Sequence, residues 1–247
     1  MHTRYTPTLL LVALLLSPFM LSAQDPGLSD ILRKHRRAQA DVTKLYGADT
    51  LRLKGVTVQQ GQSYDFTLFK KSPDLLRYEI SYKERNFVII YDGKRGYYWS
   101  PDEPDRPVQI ASGMQDLLLR QEAYFDGPLL NAGARGFAMN YKGLYELPDL
   151  PNPVHYIELR GTRGEGLMDV FLDSVSYLEV MRTFRPTEAD TPLVTRFSDF
   201  RTVEGFTIPF RIDNSYHDQP LSQTRVIEAD VNAGILGFFF ELPKDKR

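Results

Sequence analysis

Cysteine is absent from the 247 residues. Disulfides therefore cannot stabilise the fold, no thiol can serve as nucleophile or metal ligand, and no cysteine follows the apolar N-terminal run to carry a lipid anchor. Histidine is almost as scarce: His2, His35, His155 and His217 each stand alone in sequence, so neither an H-E-x-x-H helix nor a His/Cys zinc spacing exists. A G-x-S-x-G elbow and a P-loop are also missing. Gly161-Thr162-Arg163-Gly164-Glu165-Gly166 misses the dinucleotide-binding spacing and reads as a hairpin loop between strands. Asp169 and Asp173 sit two pleats apart on the polar side of a strand, a poor arrangement for a general acid/base pair. These absences lead to the expectation of a protein without catalytic activity, metal or cofactor. An excess of basic residues is lacking too: 30 Lys and Arg face 32 Asp and Glu, for a net charge of −2. That leaves no electrostatic footprint for nucleic acid.

The longest apolar run lies at the start of the chain. Arg4 supplies a positive flank, Leu9–Leu16 is unbroken apolar sequence, Pro18 interrupts it, and Leu21-Ser22-Ala23 ends on the small residue a signal peptidase needs. The pattern predicts a signal peptide over residues 1–23, cleaved before Gln24, and a soluble exported chain. No later run is long and apolar enough to span a bilayer. With 42% hydrophobic residues, residues 24–247 suffice for a single sizeable domain.

Leu28, Ile31, Leu32, His35, Ala38, Val42 and Leu45 recur at helical spacing between Ser29 and Gly47, which predicts an amphipathic helix across that span. Its other face carries Arg33, Lys34, Arg36, Arg37 and Lys44, a pattern that suits solvent and also an anionic partner.

Strand patterns follow. LRLKGVTVQ and YDFTLFK are separated by a turn at Gln60–Ser63, with Phe66 and Leu68 alternating against Asp65 and Thr67. From Lys70 to Glu103, Leu76, Tyr78, Ile80 and Tyr82 alternate with polar residues, and NFVIIY over Asn86–Tyr91 is apolar on both faces. Asp92-Gly93 marks a hairpin, and Tyr97–Trp99, with the only tryptophan, returns as a third strand. Residues Pro101–Pro153 break the series. A short helix is expected from near Ser112 through Met114, Leu117 and Leu118, then a turn at Phe125–Pro128 before Leu129 and Leu130, and a Pro-rich connector after Tyr141. A second series (VHYIELRG, LMDVFLDS, SYLEVMRTF, LVTRFSDF, FTIPFRIDNSY and TRVIEADV) completes the chain. The expected class is mostly β (α+β), about ten or eleven antiparallel strands with no βαβ rhythm. Aromatic residues beside a ligand and beside a helix give the same alternation, so for Phe66, Leu68, Tyr78, Ile80, Phe87, Ile89, Tyr91, Tyr97 and Trp99 plain core is the simpler reading and cavity wall stays open beside it.

The order of signal peptide, first helix, KKSPDLLRYE and YDGKRGYYWSP resembles the periplasmic lipoprotein carriers of the LolA type and the outer-membrane lipoprotein-sorting proteins. YFDGPLL at Tyr124–Leu130, VFLDSVSYLEVMR at Val170–Arg182, FSDFRTVEGFTIPF at Phe197–Phe210 and FFFELP at Phe238–Pro243 extend the likeness over nearly all of residues 24–247. It implies an unclosed antiparallel half-barrel with short lid helices over an apolar concave face, located in the periplasm. It further implies a cavity for the acyl chains of a lipoprotein or lipid, with inner- and outer-membrane transport proteins as partners. Carried over by position, the wall would include Leu76, Tyr78, Ile80, Tyr97 and Trp99, and the lid Met114, Leu117, Leu118, Leu129 and Leu130. The chain departs from the carriers in its long Pro-rich insert and in offering no evident position for their cavity arginine. An envelope sensor or interaction module on the same fold is the alternative.

Overall fold

Period-two alternation sorts most of the chain onto the two faces of a single sheet. The computed structural model describes residues 27–41, 44, 47–103 and 106–242; the predicted signal peptide and its cleavage site lie outside them. Helix α1 (Leu28–Gln39) is followed by β1 (Thr50–Gln59), β2 (Gln62–Lys71), β3 (Leu75–Tyr82), β4 (Arg85–Asp92), β5 (Gly96–Trp99) and β6 (Val108–Gln109). Helix α2 (Met114–Ala123) separates these from β7 (Phe137–Tyr145), β8 (Val154–Gly161), β9 (Leu167–Asp173), β10 (Glu179–Arg185), β11 (Leu193–Val203), β12 (Phe206–Tyr216) and β13 (Gln219–Val231). A 3-10 turn at Gly237–Phe240 comes last. Among the described residues no helix is long and apolar enough to cross a membrane.

All thirteen strands form one antiparallel sheet in the order β6-β5-β4-β3-β2-β1-β13-β12-β11-β10-β9-β8-β7. Each series grows by sequential hairpins, and the pairing of β1 with β13 joins them. Among the described residues the edges β6 and β7 have no further partner strand, so the shell is unclosed. At the junction the pairing is bulged opposite Lys54 and Gly55, where Ile227 is the extra residue on β13, and bulges bend a sheet. A Cβ on residue 55 would lie 2.1 Å from the Arg225 carbonyl oxygen, so only glycine fits where β13 crosses.

Because β6 and β7 occupy opposite edges, the chain between them must cross the sheet, and it crosses the concave face. Met114, Leu117 and Leu118 of α2, with Ile31 of α1 and Leu129, pack against Ile157, Leu159, Met168, Val170 and Leu172 on β8 and β9. The opposite flank of α2 presents Leu119 and Ala123 to Phe66, Leu68, Leu76 and Tyr91. Leu119 comes so close to β5 that a Cβ on Gly96 would meet its Cδ2 at 2.5 Å. Residues 124–136 are held down by Arg135, which pairs with Asp126, lies 4.0 Å over the Tyr124 ring and donates to the Leu130 carbonyl oxygen at 2.8 Å. The Phe125 amide donates to the Pro73 carbonyl oxygen on the β2–β3 turn.

The first helix is shorter than its apolar spacing predicts. It ends at Gln39, and Ala40 takes extended backbone and bridges Phe206 at the start of β12; of the expected continuation, Val42 and Leu45 lie outside the described residues. Its N-cap is Gly27, without a side-chain cap, where Ser29 was expected. The connector after Tyr141 is also more regular than its prolines suggest, since β7 continues to Tyr145 across an irregularity at Gly143.

Candidate functional site

The two packed clusters under the cover leave a cavity of about 460 Å³ between them, within the usual range of small-molecule sites. Its floor is formed by residues of β10–β12 that share one face by alternation: Arg182 and Phe184, then Leu193, Thr195 and Phe197, then Ile212 and Asn214. Leu51, Leu53, Lys70 and Val231 close one side. The roof is His35 and Gln39 of α1, Leu118, Gln121 and Glu122 of α2, and Tyr124–Gly127.

The wall is largely aliphatic and aromatic, yet it carries two ion pairs. Lys70 meets Glu122 at 2.7 Å and Arg182 meets Glu179 at 2.6 Å, with the Arg182 guanidinium 5.3 Å over the Phe197 ring. Glu122 lines the cavity with about half of its side-chain surface open (54%). Burial works against its ionised form; Lys70 foremost, and Arg182 beyond it, outweigh burial and hold its pKa below the ordinary value. Burial likewise opposes the Arg182 charge, and Glu179 and Glu122 overcome it. Two cations against two carboxylates leave these pairs electrically balanced.

His35 ties α1 to the β9–β10 turn through Nδ1, 2.8 Å from the Tyr177 carbonyl oxygen, while Lys34 donates to the Tyr177 hydroxyl at 3.1 Å. Burial lowers the His35 pKa below 6.5. The unfolded chain therefore takes up a proton before the folded one does, so stability is complete above about pH 6.5 and is lost as the pH falls towards the lower folded-state value. Melting temperature should drop between pH 7.5 and 5.5, by a free energy of at most about 1.4 kcal/mol per pH unit. A His35→Phe variant should show a flatter profile; an unchanged slope would assign the dependence to other groups.

A shallower groove of about 400 Å³ lies further along the concave face, lined by Thr57, Gln59, Gln62, Tyr64, Tyr78, Ile80, Tyr82 and Phe87, with Asn214 common to both spaces. Among the described residues no three His, Asp or Glu side chains come together as a metal site.

The residues expected to line a cavity are dispersed. Leu118 does line it. Tyr78, Ile80 and Phe87 line the second groove, with Ile89 on the same face in register with Tyr78. Phe66, Leu68, Leu76 and Tyr91 are packed core, as are Leu129 and Leu130, and Met114 and Leu117 pack against the cluster over β8 and β9. Tyr97 and Trp99 require a correction: they lie on the convex face. Their β4 partners are Ile90 and Val88, which alternate with the concave Ile89 and Tyr91. They pack with Leu242 beneath the C-terminal turn, where Arg77 stacks 4.6 Å from the Phe239 ring. The sequence reading missed Lys70 and Arg182, although each shares parity with apolar neighbours, Phe66 and Leu68 in one strand and Phe184 in the other. A charge on the apolar parity was the available signal.

One antiparallel sheet, open along a seam and roofed by helices over a cavity, defines the half-barrel class. The fold is LolA-like. It aligns with an outer membrane lipoprotein-sorting protein domain from Vibrio parahaemolyticus at TM-score 0.60 and 11% identity, over 85% of this chain and 94% of the other. A LolA superfamily protein from Nitrosomonas europaea aligns at TM-score 0.62 and 12% identity, over 86% and 96% of the two chains. A DUF1329 family protein from Desulfovibrio piger gives 0.62 and 12%, over 88% and 98%. No protein-family model and no curated protein matches the sequence.

Proposed function

We propose that residues 24–247 form one exported periplasmic domain that binds a single acyl chain of a lipoprotein or lipid between α1, α2 and β10–β12. In this reading it passes the chain towards the outer membrane, loaded and unloaded by membrane transport proteins. The observation that carries this reading is the roofed cavity of about 460 Å³ on the concave face, with Phe184, Leu193, Phe197 and Ile212 on its floor. Burying an acyl chain yields about 0.8 kcal/mol per methylene, so sixteen carbons supply roughly 12 kcal/mol. Association costs about 4–15 kcal/mol, which leaves a net affinity low enough for hand-off.

Native mass spectrometry of protein purified from the cell envelope tests the proposal, followed by lipid extraction. The expected species begins at Gln24, carries no covalent lipid and retains a noncovalent single-chain amphiphile. Envelope-derived protein that is free of lipid and binds no fluorescent fatty-acyl probe would overturn it and favour a protein-interaction module.

A further inference from the structure

The second groove on the concave face differs in chemistry from the first cavity. None of its eleven lining residues carries a charge, in a chain where charged residues make up 25%. Strand register sets its polar side chains in rows across one face of the sheet. Gln62, Gln59, Ser222 and Asn214 are successive cross-strand partners on β2, β1, β13 and β12, and Tyr64, Thr57 and Thr224 form the next row. Directly opposed residues stand about 4.5–5.5 Å apart at Cβ, so each row is continuous. Gln62 is exposed, and Gln59, Ser222, Asn214 and Thr224 are half-buried, so the first row keeps surface open to a ligand. Gln59 takes the Tyr64 hydroxyl on Oε1, which leaves its NH2 group to donate.

Aromatic rings complete the groove. Tyr64 and Tyr82 meet edge to face with centroids 6.3 Å apart, and Tyr78 and Phe87 line it beside them. Burial raises the Tyr64 pKa and pushes that of Tyr78 up to about 12, so both hydroxyls stay protonated. Rings beside amides and hydroxyls, with no cation or carboxylate, match a neutral sugar: its C–H faces lie on rings and its hydroxyls both donate and accept. A phosphate or carboxylate would find no counter-charge there, and a hydrocarbon would bury the amide row unpaired. The groove also adjoins the first cavity, since Asn214 lines both and Thr224 is the cross-strand partner of Ile212 on the cavity floor. We infer that the second groove is a subsite for a neutral sugar head group, carried on the acyl chain that lies along Phe197 and Ile212. The inference rests on the acyl-chain reading and names its ligand class.

The test is displacement of a fluorescent acyl probe from the full mature protein by three amphiphiles of equal chain length, each below its micelle-forming concentration. They are dodecyl maltoside, a dodecyl tetraethylene glycol ether and laurate. The maltoside should displace the probe at a concentration at least tenfold below either of the others. Tyr82→Ser, at the end of β3, removes one ring and should bring the three within about threefold while the probe still binds. Gln59→Leu removes the amide, should do the same, and serves if the first variant melts early. An ether as effective as the maltoside would mean that lack of charge alone is read, and would overturn the inference. Laurate as effective as the maltoside, or a maltoside advantage unchanged in both variants, would also overturn it while leaving acyl-chain binding intact. Failure of the probe itself to bind would overturn the acyl-chain reading and this inference with it.

Discussion

Replacing Arg182 by methionine is expected to destabilise the protein by about 3–5 kcal/mol, the range for removing one partner of a buried ion pair. The side chains of Arg182 and Glu179 are 17% and 10% exposed, so methionine would leave the Glu179 carboxylate beside the cavity with little water to solvate it. Glu122 would also lose the second of the two cations that keep it ionised. The double variant Arg182→Met/Glu179→Gln should recover most of the loss, because the cost lies in the stranded charge and not in the missing contact. Urea unfolding of the two single variants and the double variant measures the coupling. A single-variant loss below about 1 kcal/mol would mean that water already solvates the pair as it does at a surface.

The second large effect is on binding. Ile212→Trp should weaken binding of a fluorescent acyl probe about 50-fold while changing stability by less than about 1 kcal/mol. Ile212 lines the cavity floor in register with Phe197 on β11, so a larger ring there grows into open space. Displacing about three methylenes of ligand at about 0.8 kcal/mol each accounts for the loss. The same change in a filled core would cost roughly 1–3 kcal/mol of stability by overpacking. Probe titration and thermal melts on one preparation separate these results. A large fall in melting temperature with binding unchanged would remove the cavity from consideration as the ligand site.

Much of the sheet was legible because strand alternation is a local property. The parity of Leu76, Tyr78 and Ile80, the hairpin at Asp92-Gly93 and the helix beginning near Ser112 all follow from neighbours a few residues apart, and the structure has β3, the β4–β5 hairpin and α2 at those places. The end of α1 was less legible: the apolar spacing of Val42 and Leu45 continues a helical pattern, but pairing of Ala40 with Phe206 draws the backbone into extended form first. The expectation for Tyr97 and Trp99 failed for a related reason. An aromatic strand is apolar on both faces when both faces are covered, and the covering of the convex side comes from Phe239 and Leu242, some 140 residues later in the chain.

By itself, then, the sequence determined the antiparallel strands, the partition of each strand into two faces, and the lack of thiols and of a dinucleotide fingerprint, because each of these depends on residue types at short spacing. Only the tertiary structure decided which face is concave, that β1 and β13 join the two strand series, and that the insert from β6 to β7 crosses over the sheet. The cavity belongs to this second group. Its wall brings His35, Lys70, Gln121, Arg182 and Ile212 together from five separate elements, and long-range pairing alone sets the distances between them. Residues expected from local aromatic density, such as Phe66 and Tyr91, were instead consumed by packing under α2. An open space forms where the helices do not reach the sheet, and that depends on how two packed clusters are spaced rather than on the apolarity of any one strand.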